Sequence, residues 1–212
     1  MNNIVILPTF YRPEGLLRAL QTLRDTAPAV HTVVVAELED DEAQVIAESF
    51  GVFFIQCKLR QRGGVPAWNL GLETKPNYGG YVLGSDDCYY LPGWYEALLK
   101  SIDENGGSGL FSLNDNTATS HYLMTRDFIV KHHGGVMAVP HYTGWYLDWE
   151  ACERARSAGK YFFAEQAKIV HDWNGSAFRV KCKKDARIFK MRRENGFPND
   201  FAPIINMEFT NA

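Results

Sequence analysis

The sequence predicts one α/β domain with a mostly parallel central sheet flanked by helices. Short apolar, β-branched runs alternate with helical patterns at spacings of about 25 residues, which is typical of consecutive βαβ units. A chain of 212 residues is long enough to enclose one such core. Its apolar and charged fractions, 46% and 22%, are ordinary for a globular protein, and no repeat, low-complexity segment or linker divides it. We therefore expect a single domain.

The first half carries the clearest alternation. Pro13 opens a helix whose apolar face has helical spacing, and Asp40 or Asp41 caps a second helix that Gly51 ends. A third, short helix follows the turn at 63–64. The predicted strands are runs of aliphatic and aromatic residues at 4–7, 31–36, 52–55 and 81–83.

The second half is less regular. A helix passes through Trp94 and ends before Gly106. The remaining predicted strands are 110–113, 121–124 and 168–171, and the remaining helices are 126–133 and 148–157.

Composition bounds the environment of the protein. No apolar run reaches the roughly 18 residues needed to span a bilayer, and the N-terminus lacks the pattern of a signal peptide, so we expect a cytoplasmic protein. The four cysteines show neither a Cys-x-x-Cys pair nor zinc-ligand spacing. We expect them to be reduced, without disulfides.

Positive charge is concentrated near the C-terminus. The net charge of the chain is −3, yet residues 179–193 contain only one acid, Asp185, among many lysines and arginines. Such a segment either contacts phosphate, on a nucleotide, a lipid or a nucleic acid, or forms a solvated amphipathic helix. The sequence leaves both open.

Polar residues follow three of the predicted strands. Thr9-x-x-Arg12, Glu37 and Asp86-Asp87 all stand at carboxyl ends, and ligands of open parallel sheets bind beyond those ends. Two adjacent carboxylates repel each other unless a cation or hydrogen-bond donors meet them, and Mg²⁺ or Mn²⁺ takes such oxygen ligands. By themselves the two aspartates could also form a helix cap or turn before Pro92.

Several stretches together resemble a known family. They are IVILPTFYR (4–12), VVVAE (33–37), GVPAWNLGL (64–72), YVLGSDD (81–87) with LPGW (91–94), and further on DWEACER (148–154) and IVH (169–171). In this combination they are similar to glycosyltransferase family 2, the inverting, nucleotide-sugar-dependent enzymes of the GT-A fold. The resemblance covers about residues 4 to 175, which implies a GT-A-type, Rossmann-like domain.

The resemblance implies a role for each site residue. Asp87 and His171 would hold a divalent metal, Mn²⁺ or Mg²⁺. Asp148 would be the catalytic base, with Glu150 second, although a plain helix cap also explains Asp148. The implied donor-binding residues are Pro8, Thr9, Arg12, Glu37, Arg62, Asn69 and Asp86; Lys181, Lys183 or Lys184 could stand in for Arg62.

Two positions depart from the family pattern. Ser85-Asp86-Asp87-Cys88 replaces the usual Asp-x-Asp, and Ala36-Glu37 replaces the acidic pair after the second strand. Both allow a weaker metal dependence or an unusual donor.

The expected activity is transfer of a sugar, from a UDP-linked or other nucleoside diphosphate donor, to an acceptor hydroxyl. Residues 1–104 would bind the nucleotide sugar, 105–178 would supply the acceptor and catalytic half, and 179–212 form the basic segment. The acceptor, a glycan, lipid carrier, protein or nucleic acid, would be met by residues 112–147 and the basic segment, to which a second subunit of a homo-oligomer could contribute.

Two other functions compete with this one. A sugar-nucleotide nucleotidyltransferase would have a Gly-rich phosphate loop directly after the first strand, but no glycine occurs there before Gly15. A nucleic-acid-binding protein would use the basic segment, and its affinity would fall steeply with salt. A glycosyltransferase acting on nucleic acid would combine the two.

Overall fold

The computed structural model describes residues 2–58, 64–116, 120–172 and 181–204. The strands are β1 (Asn3–Thr9), β2 (His31–Glu37), β3 (Phe53–Cys57), β4 (Gly80–Leu83), β5 (Cys88–Tyr90), β6 (Leu110–Asn114), β7 (Tyr122–Thr125) and β8 (Tyr161–His171). The helices are α1 (Pro13–Thr26), α2 (Asp41–Phe50), α3 (Val65–Thr74), α4 (Trp94–Glu104), α5 (Arg126–His132), α6 (Leu147–Ser157) and α7 (Lys181–Glu194).

The strands form one eight-stranded sheet in the order β3-β2-β1-β4-β7-β6-β8-β5. The pairs among β1 to β4 are parallel, as is β6 with β8, whereas β7 runs antiparallel to both of its neighbours and β5 runs antiparallel to β8. The predicted α/β architecture with a mostly parallel sheet is therefore confirmed. The sheet continues through both predicted halves of the chain.

Both faces of the sheet are covered. Along β1, Ile4 and Ile6 point into one core, while Val5 and Leu7 point into the other, and all four are fully buried. This alternation explains why residues 4–7 of β1 are all apolar, since a strand between two helical layers has no solvent-facing side. Thr9, the last residue of β1, brings a polar side chain to the carboxyl ends of the parallel strands, which we call the ligand edge.

Two strand segments were not predicted. β5 has only three residues and lies between a turn and Pro92, so it carries no periodic signal of its own. In the first part of β8, residues 161–167, exposed, half-buried and buried side chains are mixed without a regular alternation. Tertiary pairing forms both segments, because β5 is held by β8 and β8 is held by β6.

The C-terminal helix α7 packs against α6 and the loop that precedes it. One carboxylate oxygen of the buried Asp185 accepts hydrogen bonds from the backbone N–H groups of Thr143, Gly144 and Trp145, at 3.0–3.2 Å, and from the Thr143 hydroxyl at 2.9 Å. The basic segment is therefore partly an internal element, and its single acid fastens it to the loop before α6.

Within the described ranges, no helix is both long and apolar enough to cross a membrane. Cys57, Cys88 and Cys152 are free thiols. Cys182 lies among the side chains that the structure does not describe.

Candidate active site

The carboxyl ends of β1 and β4 meet at Asp86. Its Oδ2 accepts a hydrogen bond from the Thr9 hydroxyl at 2.9 Å, and its Oδ1 accepts one from Arg12 Nη1 at 2.9 Å. The first turn of α1 can approach so closely because Gly15 has no side chain: a Cβ there would lie 2.6 Å from the backbone oxygen of Asp86. Burial raises the pKa of Asp86 to about 6, although Arg12 and Thr9 act against it.

Asp87 faces the other side of this strand end, towards His171. The His171 Nε2 atom lies 3.5 Å from Asp87 Oδ1, and the Ser85 hydroxyl donates to the same oxygen. Burial by itself would raise the pKa of Asp87, but the contacts with His171 and Ser85 outweigh it and hold the pKa below its ordinary value. Burial likewise opposes ionisation of His171, yet the carboxylates of Asp87, Asp115 and Asp172 raise its pKa.

The short ladder between β5 and β8 produces this pairing. Cys88 lies opposite His171 in register, and the backbone N–H of Asp172 donates to the Asp87 carbonyl at 2.8 Å. The last residue of β8 is thereby held against the acidic end of β4. The predicted proximity of Asp87 and His171 is found.

A second imidazole lies beside the first. His121, immediately before β7, shares a 2.8 Å hydrogen bond through Nδ1 with Asp115, which follows β6. Its ring is edge-on to that of His171, with centroids 4.6 Å apart, and its Nε2 lies 3.2 Å from Cys88 Sγ. We call Asp86, Asp87, Asp115, His121 and His171 the strand-end cluster.

The cluster has the chemistry of a cation site. One ligand atom from each of Asp115, His121 and His171 can be chosen so that all lie within 4.8 Å of one another, and Asp87 adjoins His171. Carboxylates and imidazoles are metal ligands, and burial of several carboxylates together favours a neutralising cation. The residues therefore fit a divalent metal.

Asp148 lies in the first turn of α6. Its carboxylate accepts backbone N–H bonds from its own residue and from Trp149. Tyr146 occupies the N-cap position and α6 has no side-chain cap bond, so the alternative prediction of Asp148 as a plain N-cap is wrong. Burial is the main cause that raises its pKa to about 6, and the negative charge of Asp115 contributes in the same direction. A carboxylate with a pKa near neutrality suits proton abstraction.

The remaining donor-side residues are spread along the same edge. Pro8 lies in β1 opposite Val35, and Glu37 ends β2 almost fully buried. Beyond β1, the backbone N–H of Tyr11 donates to Asp40 at 2.9 Å, which ties the turn after β1 to the start of α2. Arg62 lies outside the described residues.

The structure corrects the prediction for Asn69. Its amide oxygen accepts hydrogen bonds from the backbone N–H groups of Met137 and Ala138, and its amide nitrogen donates to the Ala138 carbonyl at 2.7 Å. The side chain is buried and fastens α3 to the segment after α5. Asn69 therefore has a structural role and does not face the donor.

The structure also corrects the second choice of base. Glu150 is fully buried and bonds to Tyr142 at 2.7 Å, to Arg154 at 2.8 Å and to Arg192 at 2.9 and 3.1 Å. Burial acts to raise its pKa, but Arg192, Tyr142 and Arg154 outweigh it and lower the pKa. A carboxylate held by two guanidinium groups inside the protein cannot accept a proton from an acceptor hydroxyl.

Sequence reasoning missed Asp115 and His121. Asp115 follows the strand predicted at 110–113, and His121 is the first residue of the strand predicted at 121–124, so a polar residue at the end of each strand was a signal. The pairing was not visible, because it depends on the antiparallel register that sets Leu110 opposite Met124 and on the Leu113–His121 backbone hydrogen bond.

Comparison with known proteins identifies the family of the chain. The sequence profile described as Glycosyl transferase family 2 matches residues 4–138. A search of curated proteins finds no significant match.

Solved structures show the same fold at low sequence identity. A mannosyltransferase from Pyrobaculum calidifontis, in complex with GDP-Man and Mn²⁺, has a TM-score of 0.70 and 12% identity, covering 95% of this chain and 66% of that one. Glucosyl-3-phosphoglycerate synthase from Mycobacterium tuberculosis, with Mn²⁺, UDP and glucosyl-3-phosphoglycerate, has a TM-score of 0.67 and 12% identity, covering 94% and 81%.

A cytidylyltransferase from Leptospira borgpetersenii is similar at a TM-score of 0.58 and 13% identity, covering 95% of this chain and 90% of that one. Nucleotidyltransferases thus share the general fold, and the family profile decides between the two classes, since it matches well over half of the chain. The chain belongs to glycosyl transferase family 2 and is a glycosyltransferase.

Proposed function

We propose that the chain transfers a sugar, with inversion, from a nucleoside diphosphate sugar to an acceptor hydroxyl at the strand-end cluster, with Asp148 as the base. One observation carries the proposal: α6 begins with a carboxylate whose pKa of about 6 is raised by burial and by the charge of Asp115, which itself belongs to the groups that suit a cation. A base and a diphosphate-binding cation are the two parts that such a transfer requires.

The donor would bind over residues 1–104. The Arg12 side chain is half exposed, and its Nη1 lies 2.9 Å from Asp86 and 3.6 Å from Asp87, so it is positioned to contact donor phosphate. Glu37 at the end of β2 would receive the ribose or base, next to the turn formed by Pro8 and Thr9. The UDP and GDP-Man in the similar structures support a nucleotide donor.

Asp87 and His171 would hold Mn²⁺ or Mg²⁺, which supplies positive charge against the negative charge that develops on the departing diphosphate. The departures from the family motif are compatible with this role. Ser85 does not offer a carboxylate, but its hydroxyl orients Asp87.

Asp148 would act on the acceptor. As the acceptor oxygen forms its bond to the anomeric carbon, the bond from that carbon to the diphosphate oxygen breaks, and the hydroxyl proton passes to the Asp148 carboxylate. Trp149, beside Asp148, is 53% exposed and offers a flat face to a sugar or base. The acceptor half, 105–178, would therefore present its substrate across the start of α6.

The proposal predicts that Asp148→Asn separates donor binding from transfer. In a melting-temperature screen, UDP, GDP and their sugars with Mn²⁺ should stabilise wild type and variant alike by mass action. Release of nucleoside diphosphate, measured with a panel of acceptors, should fall by about 10²-fold or more in the variant, which is the usual contribution of a general base.

Asp103→Asn, at an exposed position of α4, is the matched control and should transfer at the wild-type rate. If no nucleotide raises the melting temperature in the presence of metal, the proposed function is wrong. If Asp148→Asn transfers at the wild-type rate, the base lies elsewhere.

A further inference from the structure

Packing of the apolar core does not account for the buried, polar imidazole of His121. His121 and Asp115 are 4% and 3% exposed, and a 2.8 Å hydrogen bond joins them where β6 ends and β7 begins. The Asp87–His171 pair lies next to them, since the two histidine rings are in edge-to-face contact. Two histidines and two carboxylates thus meet at one point of the ligand edge.

The Asp115–His121 bond matches the way proteins prepare a metal ligand. A ligating histidine commonly gives its second ring nitrogen to a carboxylate, which orients the ring and strengthens the other nitrogen as a ligand. In His121, Nδ1 contacts Asp115, which leaves Nε2 as the ligand atom. Nε2 now lies 3.2 Å from the Cys88 thiol, and a bound metal would take the place of that contact.

Backbone register holds both rings at this point. His171 lies opposite Cys88 in the β5–β8 ladder, and His121 is held by the hydrogen bond from Leu113 to its carbonyl. The two histidines therefore reach the site from different strands and do not depend on one mobile loop.

We propose that His121, oriented by Asp115, is a ligand together with His171 and Asp87, and that the site consequently binds a transition-metal dication in preference to Mg²⁺. Mg²⁺ favours oxygen ligands and keeps several waters, whereas imidazole suits transition metals. A ligand set that contains two imidazoles therefore favours transition metals over Mg²⁺. The inference refines the metal role in the proposed function but concerns metal binding alone.

Its test uses the metal-stripped full chain without nucleotide. Calorimetric titration with Mg²⁺, Mn²⁺ and Co²⁺ should give Mn²⁺ and Co²⁺ affinities at least about tenfold above that of Mg²⁺. His121→Asn should lower the Mn²⁺ and Co²⁺ affinities by about 10- to 100-fold and change that of Mg²⁺ much less. His31→Asn, at an exposed position at the opposite end of β2, should leave all three affinities unchanged.

Equal binding of Mg²⁺ and Mn²⁺ would overturn the inference, and so would full Mn²⁺ affinity in a folded His121→Asn variant. The Asp115–His121 pair would then serve only to connect the ends of β6 and β7. Should the variant not fold, pulsed electron paramagnetic resonance of Mn²⁺ bound to the wild type decides, since two coordinated imidazole nitrogens are expected and one would refute the proposal. Metal binding of this kind without any nucleotide binding would contradict the proposed function and leave this inference intact.

Discussion

Two groups of charged and polar residues lie on either side of α6. They differ in how their buried carboxylates are paired with cationic side chains. In the strand-end cluster, burial raises the pKa of Asp86 and of neighbouring Asp148 to about 6. In the second group, which we call the α6–α7 network (Tyr142, Glu150, Arg154, Arg192 and Asp200), Glu150 has two guanidinium partners and a lowered pKa.

Within a single turn of α6, one carboxylate is a candidate for catalysis and another stabilises the fold. Asp148 and Glu150 are two residues apart in α6, yet one faces the ligand edge and the other faces α7. Carboxylates whose ionisation is disfavoured mark candidate functional sites, while a fully paired buried carboxylate connects elements of the fold.

The largest expected effect tests the α6–α7 network. Glu150→Ala leaves the buried Arg192 without its main partner, and removal of one member of a buried ion pair costs about 3–5 kcal/mol. Urea unfolding should show this loss as a lower midpoint at unchanged slope. Glu153→Ala, which removes the partner of the exposed Arg193, should cost below about 1 kcal/mol. Equal losses in the two variants would mean that the network contributes no more than a surface pair.

An intermediate effect is expected at Asp185, which connects the two regions through the loop before α6. Asp185→Ala removes the acceptor of three backbone N–H groups and one hydroxyl, so we expect a loss of about 2–3 kcal/mol and slower transfer, because this loop positions Asp148. Asp185→Asn keeps one acceptor oxygen and should lose clearly less by urea unfolding and in the transfer assay. If the alanine variant keeps both stability and rate, α7 does not position α6.

The smallest effect has the opposite sign. Since the folded-state pKa of Asp148, about 6, exceeds its ordinary value of 3.8, the folded state binds more protons in this range, and stability falls as pH rises from about 4 to 6. Asp148→Asn removes this dependence and should be more stable than wild type by about 1–2 kcal/mol at pH 7.

The gain should vanish near pH 4, as urea unfolding at several pH values would show. Asp103→Asn, on the exposed face of α4, should show no such pH-dependent gain. A difference between Asp148→Asn and wild type that does not change with pH would show that Asp148 is an ordinary solvated carboxylate.

Most of the fold was predictable from the pattern of apolar residues along the chain. Residues 4–7, 32–36 and 81–83, within three of the predicted strands, are buried and covered on both faces of the sheet, so the sequence there has few polar interruptions. β5 and the start of β8 were not predictable in this way. β5 has only three residues, and the start of β8 lacks a regular apolar pattern, so both form through their partner strands.

The site divided along the same lines. The shared location of Thr9, Arg12, Asp86 and Asp87 was predictable because each lies at the end of a buried strand or just beyond it, and the carboxyl ends of adjacent parallel strands meet at one edge. Their roles in donor and metal binding stay predictions. Asn69 and Glu150 were assigned to the site wrongly, since their partners, the backbone at 137–138 and Arg192, are distant in sequence.

The sequence by itself determined the α/β class, the ligand edge and the family, because local hydrophobic periodicity and short motifs encode them. Only the tertiary structure decided which charges face that edge. The register of β5 with β8 and of β6 with β7 brings Asp115, His121 and His171 together, and the packing of α7 neutralises Glu150 but leaves Asp148 at the site. Burial and pairing depend on residues far apart in the chain, and they set the protonation and the chemistry of each carboxylate.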